Sequence, residues 1–162
     1  MVMVLFSCEN SLDKVKEFID TDTINGVLAY NVVFTRSDSG FVQAKLIADV
    51  MHNTEGDSAI LEFPKGFVAY IYDKNGTPSS KISGDYGIRY DKKDLMFAQD
   101  NVVVENIETK ETMFTETLYW DQKKKKIYTS NPVKITSPDK IIFGDSLIAN
   151  EDFSQRVIHG MR

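Results

Sequence analysis

Hydrophobic and polar residues alternate with a period of two along most of the chain after Val27. This period places successive side chains on opposite faces of a strand, so each run predicts a strand with one buried face and one wet face. Short polar turns separate the runs. The clearest is Asp73–Gly76, because its Asn-Gly pair suits the positive φ angles of a tight hairpin. The pattern predicts an all-β domain of roughly ten or more antiparallel strands.

A repeat of thirty residues organises the segment Lys81–Trp120 and the C-terminal part of the chain after it. The first copy contains Asp85, Ile88, Tyr90, Asp91, Asn101 and Val103. The second copy contains Thr115, Leu118, Trp120, Asp121, Asn131 and Val133, and a fainter third copy contains Asp145, Ile148, Asn150 and Glu151. A fixed period of this length predicts stacked β units rather than a catalytic domain built around one loop.

Extending the alternation and the repeat places one set of apolar side chains on a single inward face. The predicted set is Leu46, Ala48, Leu61, Phe63, Ile82, Tyr86, Ile88, Tyr90, Val102, Val104, Leu118, Trp120 and Ile148. For each residue, core packing and contact with an apolar ligand are both open; together they define a possible groove for acyl chains. Glu116 falls in register with Tyr86 and Ser146. A carboxylate in an apolar groove is costly, so either a bulge turns Glu116 outward or it lies at the mouth.

Composition narrows the possible functions. The chain has 162 residues, of which 42% are hydrophobic and 27% charged, as expected for one globular domain. Its net charge of −5 argues against nucleic acid as the main partner, because phosphate binding requires a basic surface. The basic run Lys123–Lys126 lies in a predicted turn, where it is either solvated or in contact with anionic head groups.

The residues give little support for catalysis. The sequence has no G-x-S-x-G elbow, H-E-x-x-H motif or P-loop, and the repeat explains acids such as Asp85 and Asp121 without chemistry. His52 and His159 lie far apart in the chain, and the single cysteine, Cys8, excludes a disulfide framework or a cysteine zinc cluster. We therefore expect a non-enzymatic protein without a metal or other cofactor.

The N-terminal segment differs from the rest. Residues 1–8 are largely apolar but too short to cross a bilayer, which takes about 20 residues. They end in Leu-Phe-Ser-Cys, which resembles a signal remnant with a lipobox, so Cys8 is a predicted lipid attachment site; the alternative is an N-terminal strand with a buried cysteine. Residues 9–23 predict a tether or short amphipathic helix, and residues 24–162 predict the β domain.

The predicted sheet has two free edges. An unclosed stack of strands leaves unpaired backbone groups at each end, and these can accept a strand from a partner. The candidate edge segments are Val27–Thr35 and Gln155–His159. The alternative is that charged side chains merely block both edges.

The order of these elements resembles the LptC and OstA-like family of lipopolysaccharide export. Over residues 24–160 the sequence has strands with Ala-Asp or Gly-Asp, then an aromatic residue and Asp (Tyr90-Asp91 and Trp120-Asp121). A basic turn and a strand with Asn-Val or Asn-Pro-Val come after each of these pairs. The resemblance implies an open, V-shaped, twisted antiparallel β-jellyroll of stacked units.

The resemblance also implies a function. A member of this family receives lipopolysaccharide from the inner-membrane ABC transporter, whose subunits meet the N-terminal edge, and passes it to a periplasmic bridge protein at the C-terminal edge. Its expected location is the periplasm, anchored to the inner membrane. Family members usually have an N-terminal transmembrane helix; this sequence departs from that, and a lipidated Cys8 would replace the helix. The competing hypothesis is a structural or interaction β-repeat protein with a closed core and no lipid ligand.

Overall fold

The computed structural model describes residues 26–54 and 59–162, which form thirteen strands in one antiparallel sheet and confirm the predicted all-β class. The strands are β1 Gly26–Asp38, β2 Phe41–Thr54, β3 Leu61–Phe63, β4 Phe67–Tyr72, β5 Pro78–Gly84, β6 Tyr86–Tyr90, β7 Leu95–Asn106, β8 Thr112–Asp121, β9 Lys126–Thr129, β10 Val133–Thr136, β11 Ile141–Gly144, β12 Ser146–Asn150 and β13 Arg156–His159. A short 3-10 turn, Asp91–Lys93, joins β6 to β7. The predictions for residues 1–8, including Cys8, and for the tether at 9–23 lie outside the described residues.

Three long strands belong to two layers at once. Along its length β7 pairs first with β6 and then with β5, while β8 pairs with β10 near its start and with β9 near its end. β2 divides in the same way between β4 and β3. The first layer therefore runs β2-β3-β6-β7-β8-β9-β12-β13, and the second runs β2-β4-β5-β7-β8-β10-β11. The layers share a corner and separate away from it, as expected for an open β-jellyroll.

Backbone irregularities mark this corner. In β7 the pairing register shifts between Gln99 and Val102, and the two residues between them have positive φ angles. Asp85 forms hydrogen bonds with both of these residues. Its backbone N–H donates to the Asp100 carbonyl at 2.9 Å, and its carboxylate accepts from Asn101 Nδ2 at 2.6 Å. Asp145 repeats the first contact with the His159 carbonyl at 2.8 Å. The sequence repeat thus marks successive passages of the chain around one corner.

At the corner, one extra residue interrupts the alternation of buried and exposed positions along each strand. On its two sides the inward, buried positions are Gly84 and Gly87, Thr115 and Leu118, and Gly144 and Leu147. Two residues rather than one lie between the members of each pair, and the first of them is exposed. Glu116 is one of these, so the corner turns its carboxylate outward. Corresponding inward positions are also not spaced by a fixed thirty residues. The spacing is one residue longer from Gly84 to Thr115 and one residue shorter from Thr115 to Gly144.

We expect Gly66→Ala to lower the free energy of unfolding by about 3 kcal/mol, from the left-handed conformation and from overpacking together. Gly66 has φ +81°, and a Cβ built there lies 2.6 Å from the Gly84 carbonyl oxygen, a backbone atom that cannot easily move. Gly76→Ala is the matched control, because Gly76 has φ +78° with nothing within 4 Å, and we expect it to cost about 1 kcal/mol. Urea unfolding of both variants measures this, and equal losses would contradict the close approach at Gly66.

Candidate functional site

Nine of the thirteen predicted groove residues lie together between the layers. None is more than 6% exposed, and all nine belong to one core cluster. They are Leu46, Ala48, Leu61, Phe63, Ile82, Val102, Val104, Leu118 and Trp120. Their inward position agrees with the alternation in the sequence, while their contact with a lipid stays a prediction.

The other four, Tyr86, Ile88, Tyr90 and Ile148, are not on the inward face, and their assignment to it is wrong. The inward positions of β6 are Gly87 and Arg89, and those of β12 are Leu147 and Ala149. Ile148 itself is 49% exposed. The physical reason is the extra residue at the corner, because a shift of one position moves every side chain of a strand to the opposite face.

Two of these four lie in a row of apolar side chains that crosses the outside of the first layer, here called the outer row. Tyr119 is at its centre, with ring centroids 5.0 Å from Phe97 and 5.2 Å from Tyr128. Ile88 pairs with Phe97, and Ile148 pairs with Tyr128, so the two isoleucines flank the rings. The alternation in the sequence is correct as an apolar pattern, but a fixed period assigns these two residues to the wrong side of the sheet.

Tyr86 is held on the outer face by a carboxylate. Its hydroxyl donates to Glu62 Oε1 at 2.6 Å. Burial, and then this hydrogen bond, raise the pKa of Tyr86 to about 12, because both disfavour the phenolate. Tyr86 therefore has a structural partner outside the groove.

Opposite the shared corner, the two layers end at a mouth. Two facing rows of inward side chains line this mouth, one row from each layer. The row of the second layer runs Arg36, Ala44, Ile71, Ser80 and Asn106. The row of the first layer runs Leu61, Arg89, Met96, Trp120, Ile127, Ala149 and Arg156. One half of the mouth remains open and the other half is filled by protein.

The open half is a pocket of about 300 Å³, here called the mouth pocket. Phe34, Leu46 and Trp120 give it an apolar lining, and Arg36 and Arg89 add two guanidinium groups. The Arg89 Nε is buried without a hydrogen bond, although the Asp91 carboxylate lies 3.1 Å away. A partly apolar pocket with guanidinium groups in its lining fits a molecule that has acyl chains and an anionic group.

The sequence pattern does not reveal either arginine. A fixed period places Arg89 on the wet face, because it ignores the extra residue at the corner. Arg36 carries no signal in the sequence, since it lies at a register shift near the end of β1 and its partners are distant in the chain. In the sequence, the shift in β6 is indicated by the Gly84-Asp85 pair alone, which interrupts the alternation of apolar and polar residues.

The filled half of the mouth contains the turn between β12 and β13, residues 151–155. Phe153 from this turn is fully buried in the core cluster. At the base of the turn, Arg156 of the first layer forms an ion pair with Glu111 in the loop between β7 and β8, at 2.6 Å. Hydrogen bonding to Arg156 is the main cause that holds the pKa of Glu111 below its usual value.

Both predicted edges lie at the ends of the strand order. Among the described strands, β1 pairs with β2 alone and β13 with β12 alone. β1 also exposes Val27, Tyr30 and Val33. Both predicted edges are thus suited to strand addition, a criterion that β11, which pairs with β10 alone, also meets; partner binding at any of these edges stays a prediction.

Two layers that share one corner, with an apolar interior, define this chain as an open β-jellyroll scaffold. The family model of LptC-related lipopolysaccharide-assembly proteins matches residues 1–158, and the chain belongs to that family. Membership supports a role in lipopolysaccharide transport, as a transport or scaffold component of the periplasm associated with the inner membrane. A comparison with curated proteins gives no match. In the described ranges, no helix is long and apolar enough to cross a membrane.

Proposed function

We propose that this protein receives lipopolysaccharide from the inner-membrane ABC transporter and passes it to a periplasmic bridge protein through the space between its two layers. The mouth pocket is the observation that carries this proposal. Its lining places Arg36 and Arg89 beside Phe34 and Leu46, which contact the apolar core. Each methylene of an acyl chain that enters contributes about 0.8 kcal/mol, and the guanidinium groups complement phosphate or carboxylate.

The two edges support the transfer in sequence. β1 and β13 lie at opposite ends of the strand order, so an incoming and an outgoing partner can each add a strand without competing for the same edge. We assign β1 to the transporter and β13 to the bridge protein, as the family resemblance implies.

A closed scaffold without a lipid ligand is the second candidate, and a specific observation favours it. Phe63, Met113 and Ile127 are fully buried, so side chains already fill the space between the layers away from the mouth pocket. Acyl chains can enter this part only if side chains or a segment of backbone move aside. The two candidates therefore differ in whether a lipid reaches the mouth pocket at all.

Photo-crosslinking from two phenylalanine positions separates the candidates. Phe34 lines the mouth pocket, and Phe97 lies in the outer row, so p-benzoylphenylalanine at each position tests the inside and the outside of the protein. With purified lipopolysaccharide, we expect a crosslinked product from position 34 and little or none from position 97. Crosslinks from position 97 alone, or from neither position, would reject transfer through the interior.

A further inference from the structure

The turn at residues 151–155 lies along the polar positions of the facing row in the second layer. Ser80 Oγ donates to the Glu151 carbonyl at 2.9 Å, and Asn106 Nδ2 donates to the Asp152 carbonyl at 3.1 Å. Arg36, at the other end of the same row, donates to the Glu151 carboxylate. Three polar side chains on an otherwise apolar inward face are thus used to hold one turn.

Glu151 is the most strongly held residue of the turn. Its carboxylate accepts from Arg36 Nη2 at 3.0 and 3.2 Å and from Trp120 Nε1 at 2.8 Å, and the residue is 6% exposed. A buried carboxylate is costly unless it is paired. The Glu151 carboxylate therefore occupies an anion site that the fold assembles. The two donors of this site, Arg36 and Trp120, come from different layers, and neither is near Glu151 in the sequence.

Phe153 gives the turn an apolar group. It is fully buried in the core cluster, with the Arg156 guanidinium 5.2 Å from the centre of its ring. Its φ angle is +59°, which is a strained conformation for a large side chain. Strained residues persist only where their surroundings hold them, so the interior contacts of Phe153 offset this strain.

The anion site is also open to the mouth pocket. Arg36 and Trp120 both line that pocket, so the groups that bind Glu151 can be reached by a molecule inside it. The turn therefore places a carboxylate and an aromatic ring where a ligand with an anionic group and an apolar chain would place its own.

We propose that this turn is an intramolecular plug, and that a phosphorylated amphiphile displaces Glu151 from Arg36 and Trp120 and Phe153 from the interior. This inference rests on the proposed function, which supplies the amphiphile. The plug closes the filled half of the mouth when no lipid is bound. Its release opens the packed interior beyond the mouth pocket, which lets one protein be both closed and able to carry lipid.

Trp120 makes the plug measurable, because it is the one tryptophan of the sequence and it donates to Glu151. In Glu151→Gln we expect the emission of Trp120 to shift to the red without lipid, and purified lipopolysaccharide to bind roughly tenfold more tightly, since the binding-competent state is more populated. Glu108→Gln, at an exposed carboxylate, is the matched control and should behave as wild type. Phe153→Leu, which keeps an apolar side chain, should show a smaller gain in affinity.

Arg36→Gln separates a plug from a general loss of structure. It removes the partner of Glu151 and also a partner of the ligand, so we expect the red shift of Trp120 without any gain in affinity. Equal affinity of wild type and Glu151→Gln, with crosslinking from position 34 intact, would overturn the plug and leave the proposed function standing. Absence of that crosslink in every variant would overturn both. If inorganic phosphate alone shifted the Trp120 emission as lipopolysaccharide does, the site would bind free anions, and the amphiphile assignment would be wrong.

Discussion

Phe63→Ala is expected to lower the free energy of unfolding by about 4 kcal/mol, which is typical for truncating a fully buried phenylalanine. Phe63 is the last residue of β3 and is 0% exposed. Its ring contacts Phe34 edge to face at 6.2 Å between centroids, and Phe67 at 6.3 Å. The truncation leaves a cavity between β1, β3 and β4 that these strands cannot close without breaking their pairing, so the loss exceeds the transfer free energy alone.

Urea unfolding followed by Trp120 fluorescence measures this effect. Phe143→Ala is the matched control, because Phe143 is 48% exposed on β11, and we expect it to cost less than about 1 kcal/mol. The urea m-value should change little in either variant, since the surface exposed on unfolding is nearly the same. A loss at Phe63 no greater than that at Phe143 would mean that the rings of Phe34, Phe63 and Phe67 are not packed as described.

The strands could be predicted from the sequence, because the alternation of apolar and polar residues within a strand is a local pattern. The alternation in Phe41–Met51 places Ala44, Leu46 and Ala48 inward, and all three are buried. The recurrence of Asp85 and Asp145 also has a local cause, since each comes directly after a glycine at the point where the chain turns from the second layer into the first. A pattern of this kind is visible in one sequence without any knowledge of distant contacts.

The faces of β6 and β12 could not be predicted in the same way. The extra residue at the corner is positioned by pairing with the next strands, β7 and β13, and the alternation within one strand does not specify this pairing. The anion site depends on more distant contacts still, because Arg36 and Glu151 are separated by 115 positions. A glutamate after Asn150 looks like an ordinary turn residue, and only the folded chain places its carboxylate beside an indole and a guanidinium group.

The sequence repeat and the tertiary packing therefore determine different parts of the site. The repeat marks the passages around the corner from Asp85 onward and the apolar character of the space inside. The mouth, which decides whether a lipid can enter, depends on contacts among Arg36, Trp120 and Glu151 that the repeat does not specify. Charge at the mouth and apolar packing within are consequently separable by mutation.

Leu118→Asp and Ile148→Asp test the shift at the corner directly, because a fixed period of thirty residues makes these two positions equivalent. In the structure Leu118 is 1% exposed on the inward face, while Ile148 is 49% exposed on the outer row. We expect Leu118→Asp to cost about 5 kcal/mol, since it places a carboxylate among Ala98 and other buried side chains with no partner.

A loss of this size is comparable with the whole stability of many domains, which is about 5–15 kcal/mol, so Leu118→Asp should be largely unfolded or stay folded only in the absence of urea. Ile148→Asp should cost about 1 kcal/mol, because Ile148 loses only its cross-strand contacts with Tyr128 and Val157 and the new carboxylate stays in water. Circular dichroism during urea unfolding compares the two variants. Similar large losses at both positions would restore the fixed period and place Ile148 inside, and the outer row would then have to be abandoned.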